Sequence, residues 1–149
     1  MVTIEHEVLV SRPREEVFAY LADPRHLPEW QSSVLETRME AEGPVAVGSR
    51  WTEVRRVLGR GMEARVEVTE YEPDRRFSVR SVAGPVRFNV EHALEEADGG
   101  TRIRVVGRGE QSGFLTKLGD RLIARQAKQA FESDFARLKD RLEASSGAA

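Results

Sequence analysis

The chain has 149 residues, 40% hydrophobic and 32% charged, which suits one domain whose folding buries roughly 70% of the unfolded surface. Its 23 basic and 25 acidic side chains leave a net charge of −2 and a pI near 6.0, so no field gathers phosphate backbones and non-specific nucleic-acid binding is disfavoured. Cysteine is absent, which removes disulfides, thiolate nucleophiles and cysteine zinc sites.

The opening MVTIEHEVLV has neither a basic n-region nor a continuous apolar stretch, and no run reaches the roughly 18 apolar residues of a membrane span. A soluble cytoplasmic protein is expected. Val2, Ile4, Val8 and Val10 alternate with Thr3, Glu5 and Glu7, the period of a half-buried strand, with His6 on the apolar face. Ser11 suits an N-cap and Pro13 a first turn; Val17, Phe18 and Leu21 then recur at helical spacing, so a short helix is predicted over 12–22, ended by Asp23-Pro24. Pro24 to Trp30 holds two prolines and ends on a large ring, which predicts a loop or one helical turn pinned by Trp30.

From Val34 to Gln111, runs of strand-like residues are punctuated by Gly-Pro, Pro-Asp and Gly-Gly, as in an antiparallel meander. Six strands are predicted, over 34–41, 49–58, 62–72, 75–83, 86–96 and 101–111. The clearest places Val86, Phe88, Val90, His92 and Leu94 on one face and Arg87, Asn89 and Glu91 on the other, the pattern of a sheet with one dry side. Asp98-Gly99-Gly100 is a strong hairpin signal because glycine accepts positive φ without a Cβ clash.

From Gly113 to Ala144 only Gly119 interrupts a proline-free stretch, predicting a long helix of about 45 Å. Phe131, Phe135, Leu138 and Leu142 form one stripe that should lie on the sheet. Leu115, Leu118 and Leu122 fall nearly opposite that stripe at about 100° per residue, so a break near Gly119 or a second contact is required. One domain over 1–144 followed by a frayed small-residue tail over 145–149 is expected, with no repeat or linker.

The order strand, short helix, six strands, long helix resembles the START-like, or polyketide cyclase/dehydrase-like (SRPBCC), superfamily of helix-grip proteins. The resemblance is carried by Ser11 to Leu21, Asp23-Pro24 with Pro28-Glu29-Trp30, Val47 to Trp51, Tyr71-Glu72-Pro73, Gly99 to Arg102 and Leu138-Lys139, and it spans nearly the whole chain. It implies an α+β helix-grip fold: a curved seven-stranded antiparallel sheet wrapped around the C-terminal helix, with an elongated apolar cavity between them. Members include polyketide aromatases and cyclases, lipid carriers, hormone receptors and chaperone regulators, so function has to come from the site.

The three histidines, His6, His26 and His92, show no His-Glu-x-x-His pattern, and no metal or cofactor is expected. His6 and His92 each place an imidazole on an apolar strand face, where either can act as general acid or base, and His92 is the better candidate by its strand parity; the plainer alternative is that each is a hydrogen-bonded lining residue. The 49–58 strand leaves its register open. With Trp51 inward, Glu53 and Arg55 accompany it and need one another or a polar ligand to offset desolvation; otherwise they form a solvated ion pair on the outer face. Gly107-Arg108-Gly109 has the wrong spacing for a phosphate loop and is read as permitting a bulge or the entry to the last helix, and Arg102, Arg104 and Arg108 as a solvated strand face.

The expected cavity residues are Trp51, Arg55, Phe77, Phe88, Val90, His92 and Leu118 or Leu122. The favoured function is binding of a hydrophobic small molecule, lipid or polyketide-like, which needs only an apolar cavity and a few orienting polar groups. A polyketide cyclase, aromatase or dehydratase is the alternative and needs a titrating residue and an oxyanion partner in that cavity. A protein-partner role of the chaperone-regulator kind would use exposed leucines of the last helix. Nothing in the sequence excludes a homodimer.

Overall fold

The computed structural model describes residues 2–57, 59–111 and 120–144. Seven antiparallel strands form one open sheet: β1 (Val2–Val10), β2 (Val34–Met39), β3 (Arg50–Val57), β4 (Arg60–Glu72), β5 (Arg76–Ala83), β6 (Val86–Ala97) and β7 (Gly100–Gln111). Their spatial order is β1-β7-β6-β5-β4-β3-β2, so β2 to β7 run as a meander and β1 closes beside the last strand. The long helix α3 (Asp120–Ala144) packs across the dry face, and α1 (Arg14–Leu21), a 3₁₀ turn at Pro24–His26 and α2 (Leu27–Trp30) lie between β1 and β2. This is the helix-grip arrangement of the α+β class. Among the described residues no helix is long and apolar enough to cross a membrane.

The predicted strands are all present, with ends shifted by a residue or two. Helix α1 is shorter than the predicted 12–22 and Ser11 does not cap it. Pro13 occupies the cap with no side-chain bond, while the Ser11 backbone N–H donates to Glu143 of α3 at 2.9 Å and the Thr101 hydroxyl to the Arg12 carbonyl at 2.8 Å. The chain leaving β1 is therefore held by long-range partners. After it, the Asp23 carboxylate accepts from the Arg25 N–H at 3.0 Å and starts the turn, and Trp30 is only 1% exposed. The β6–β7 loop is Asp98-Gly99, with φ of 49° and 79°, the paired positive values of a two-residue hairpin whose twist suits the flanking strands.

Inward side chains align in rows across the sheet. Val10 and Thr101 form the closed end beside α1; then come Val8, Ile103 and Leu94, followed by His6, Val105, His92 and Phe77. On α3, Phe135, Leu138 and Leu142 are buried on this face and Phe131 packs against its edge, so the predicted stripe is the one used. Leu122 is 49% exposed, as its opposite angular position dictates. Leu115, Leu118 and the expected break at Gly119 lie outside the described residues.

The glycines of β7 act differently from the expectation. Pairing with β1 and β6 runs without a bulge through Gly107, Arg108 and Gly109. Gly107 instead makes room for the helix, because a Cβ there would stand 2.5 Å from Cζ of Phe131. Bulges occur in β2, β4 and β5, where they add bend and twist to the sheet. On the outer face Arg102 bridges Glu7 and Glu95 at 2.8 and 2.9 Å, and Arg108 reaches Glu91 at 3.3 Å, so the basic run is a wet, ion-paired strand face.

Candidate functional site

A cavity of about 340 Å³ lies between the sheet, α2 and α3. Strand alternation supplies most of its wall: Trp51 from β3, Val66 from β4, Phe77 and Val79 from β5, Phe88, Val90 and His92 from β6. Helix α3 contributes Ala127, Ala130, Phe131, Asp134 and Phe135. The sheet thins at Gly107 and Gly109, whose inward positions carry no side chain and also border the space. Of the residues expected from the sequence, Trp51, Arg55, Phe77, Phe88, Val90 and His92 come together on this wall. Leu122 does not; it is exposed and absent from the wall, and Leu118 lies outside the described residues.

One side of the cavity is polar. With Trp51 inward, Glu53 is inward too and only 1% exposed, and strand parity brings Arg55 with them; the solvated outer pair is thereby excluded. The Trp51 indole N–H donates to Glu53 Oε1 at 3.0 Å, and Arg55 Nε donates to Glu53 Oε2. The rest of the guanidinium is spent on the turn after α2: one Nη donates to Ser33 Oγ at 2.9 Å and the other to Gln31 Oε1 at 2.6 Å. A buried carboxylate and guanidinium thus meet the condition that each be paired and hydrogen-bonded. Asp134 extends the group from α3, accepting from the Ser32 N–H at 3.3 Å and standing 3.7 Å from Arg137. Burial raises the pKa of its carboxyl, while the Ser32 N–H and the Arg55 and Arg137 charges pull it down.

At the other end His92 is 6% exposed, with Phe77 and Phe135 ring centroids each 5.9 Å away. Its Nδ1 lies 2.9 Å from the Phe77 carbonyl, which can only accept, so the proton sits on Nδ1 and Nε2 carries a lone pair. Desolvation lowers the pKa to about 4, against a smaller upward pull from the Phe77 bond, so the ring is neutral at pH 7. His6 lies beside Phe135 at 6.0 Å without lining the cavity, and His26 stacks on Tyr20 at 4.5 Å, outside it. Among the described residues no group of histidines and carboxylates is placed to hold a metal.

Sequence reading missed Gln31, Ser33 and Asp134, since nothing in a short polar turn or on a charged helix face signals that it will meet a strand arginine. Phe131 and Phe135 were expected as core; they are also cavity wall. The glycines at 107 and 109 were visible, but their role depended on which strand face they occupied.

The model of the family described as polyketide cyclase / dehydrase and lipid transport matches residues 1–143. No curated protein matches. Among solved structures, TTHA0849 of Thermus thermophilus is similar at 20% identity and a TM-score of 0.83, covering 97% of this chain and 99% of that one. A START superfamily protein of Mycobacterium smegmatis gives 13% identity and a TM-score of 0.81 over 95% and 97% of the two chains. The di-domain ARO/CYC BexL from the BE-7585A biosynthetic pathway gives 20% identity and a TM-score of 0.73, over 96% of this chain and 47% of that one. These identities speak to the fold. The family match, spanning nearly all 149 residues, shows that the chain belongs to the polyketide cyclase/dehydrase and lipid transport family.

Proposed function

We propose that the chain binds a hydrophobic small molecule, lipid or polyketide-like, in the cavity between sheet and α3. The observation that carries this reading is the cavity itself, at about 340 Å³ within the range of small-molecule sites and walled mainly by aromatic and aliphatic side chains. Native mass spectrometry of the purified protein tests it, together with titration of apolar dyes and C8–C14 fatty acids followed by indole fluorescence. A co-purified or titratable apolar ligand that perturbs Trp51 is expected. A silent panel and a bare mass would overturn the reading.

A second reading, a cyclase or dehydratase, draws support from the neutral His92 ring on the wall of the same cavity as Arg55. Its test is product formation from a poly-β-ketone surrogate. On this reading His92→Gln lowers turnover by about two to four orders of magnitude, the usual worth of a general acid or base. Equal rates remove His92 from the chemistry, and absent turnover leaves the binding role.

A further inference from the structure

The polar groups on the cavity wall differ in how far they are already satisfied. Arg55 is committed to Glu53, Ser33 and Gln31, and Glu53 in turn to Arg55 and the Trp51 indole. Trp30 also borders the cavity and its indole N–H is unpartnered, but that nitrogen is itself fully buried. Asp134 accepts from the Ser32 N–H and stands beside Arg137, through Oδ1 alone. His92 is the uncharged acceptor of the set. Its Nδ1–H is spent on Phe77, its Nε2 accepts from no described residue, and the ring is part of the cavity wall. Nε2 is not among the sealed, unpartnered polar atoms, so its lone pair is open to the cavity, where an occupant with a donor can reach it and where an apolar occupant would cover it unpaired.

Resting on the binding role above, we infer that the ligand carries a neutral hydroxyl, phenolic or enolic, which donates to Nε2 of His92 at the part of the cavity walled by Phe77 and Phe135. The flanking rings of Phe77 and Phe135 suit a flat head group at that point. A carboxylate head is disfavoured there, because its lone pairs would face that of Nε2 and no positive charge acts on the ring to compensate. The imidazole stays an acceptor throughout the neutral range.

The test compares 4-heptylphenol, its methyl ether and octanoate by calorimetry on the whole chain, in the wild type and in His92→Phe. In the wild type the phenol is expected to bind about tenfold more tightly than the ether, the worth of one hydrogen bond, with octanoate weakest. His92→Phe should hold both aromatics equally. Because that variant loses the Phe77 bond and is subject to misfolding, the ¹⁵N shift of Nε2 in the wild-type protein provides a second readout. It should move on adding the phenol and stay still with the ether. Equal wild-type affinities for phenol and ether, or an unmoved Nε2, overturn the inference and leave the apolar-cavity reading standing; binding by none of the three overturns both.

Discussion

Replacing Glu53 with leucine removes the acceptor of the Trp51 indole and the counter-ion of Arg55 in one step. Breaking a buried pair by deleting one partner costs about 3–5 kcal/mol. Arg55 keeps Gln31 and Ser33 and has 27% of its side chain exposed, which places the loss near the lower end. The expected cost is therefore about 3 kcal/mol, of which about 1 kcal/mol is the orphaned indole N–H. For a chain of this size that lowers Tm by about 6–12 °C. The partner experiment is Glu53→Leu with Arg55→Met, which exchanges the pair for apolar side chains and should return to within about 1 kcal/mol of the wild type. Urea unfolding of the two single variants and the double variant measures all three values. A Glu53→Leu cost under about 0.5 kcal/mol, the behaviour of an exposed ion pair, would refute the buried-pair argument, as would a double variant as weak as the two single losses combined.

Four further outcomes are expected. The His92 pKa falls from 6.5 to about 4 on folding, so its contribution is complete above pH 6.5 and is lost as pH drops toward 4, by about 3 kcal/mol in all; His92→Phe should lack that part of the pH slope in urea titrations. Phe135→Ala, at a site 3% exposed, should cost about 3–5 kcal/mol, and Leu122→Ala less than about 0.5 kcal/mol, by thermal unfolding. Gly107→Ala should cost about 1–2 kcal/mol, since the Phe131 ring has to move, and Phe131→Leu in the same chain should recover most of it. A bound apolar ligand at a hundredfold excess over Kd should add about 2.7 kcal/mol to stability, read as a rise in Tm.

The fold was legible where one physical rule governs a long segment. Alternation over Val86 to Leu94 and the 4-3-4 spacing of Phe131, Phe135, Leu138 and Leu142 each state which face is dry, and the sheet and α3 follow from them. The six cavity residues that come together were legible for the same reason. Local chemistry failed where tertiary partners prevailed: Ser11 has the right residue type for a cap, yet its backbone is claimed by Glu143, 132 residues away. The register of β3 was undecidable because both of its faces carry an arginine among apolar residues. It is settled with Gln31 and Ser33, whose positions depend on how α2 is anchored by its buried last residue, Trp30.

The inward glycines of β7 separate two properties that a packed core ordinarily ties together. The ladder through Gly107 and Gly109 is unbroken on both sides, so β7 makes room by omitting side chains and not by bending its own main chain, for the Phe131 ring at 107 and for the cavity at 109. The bore of that hollow can then be altered without disturbing the hydrogen-bonded frame. At position 109 a Cβ would meet only the Arg87 carbonyl oxygen, at an ordinary 3.6 Å, so alanine, valine and leucine in turn would advance a wall into the empty space. Such a series is a molecular ruler: the size at which each occupant is excluded reports how far along the hollow it extends.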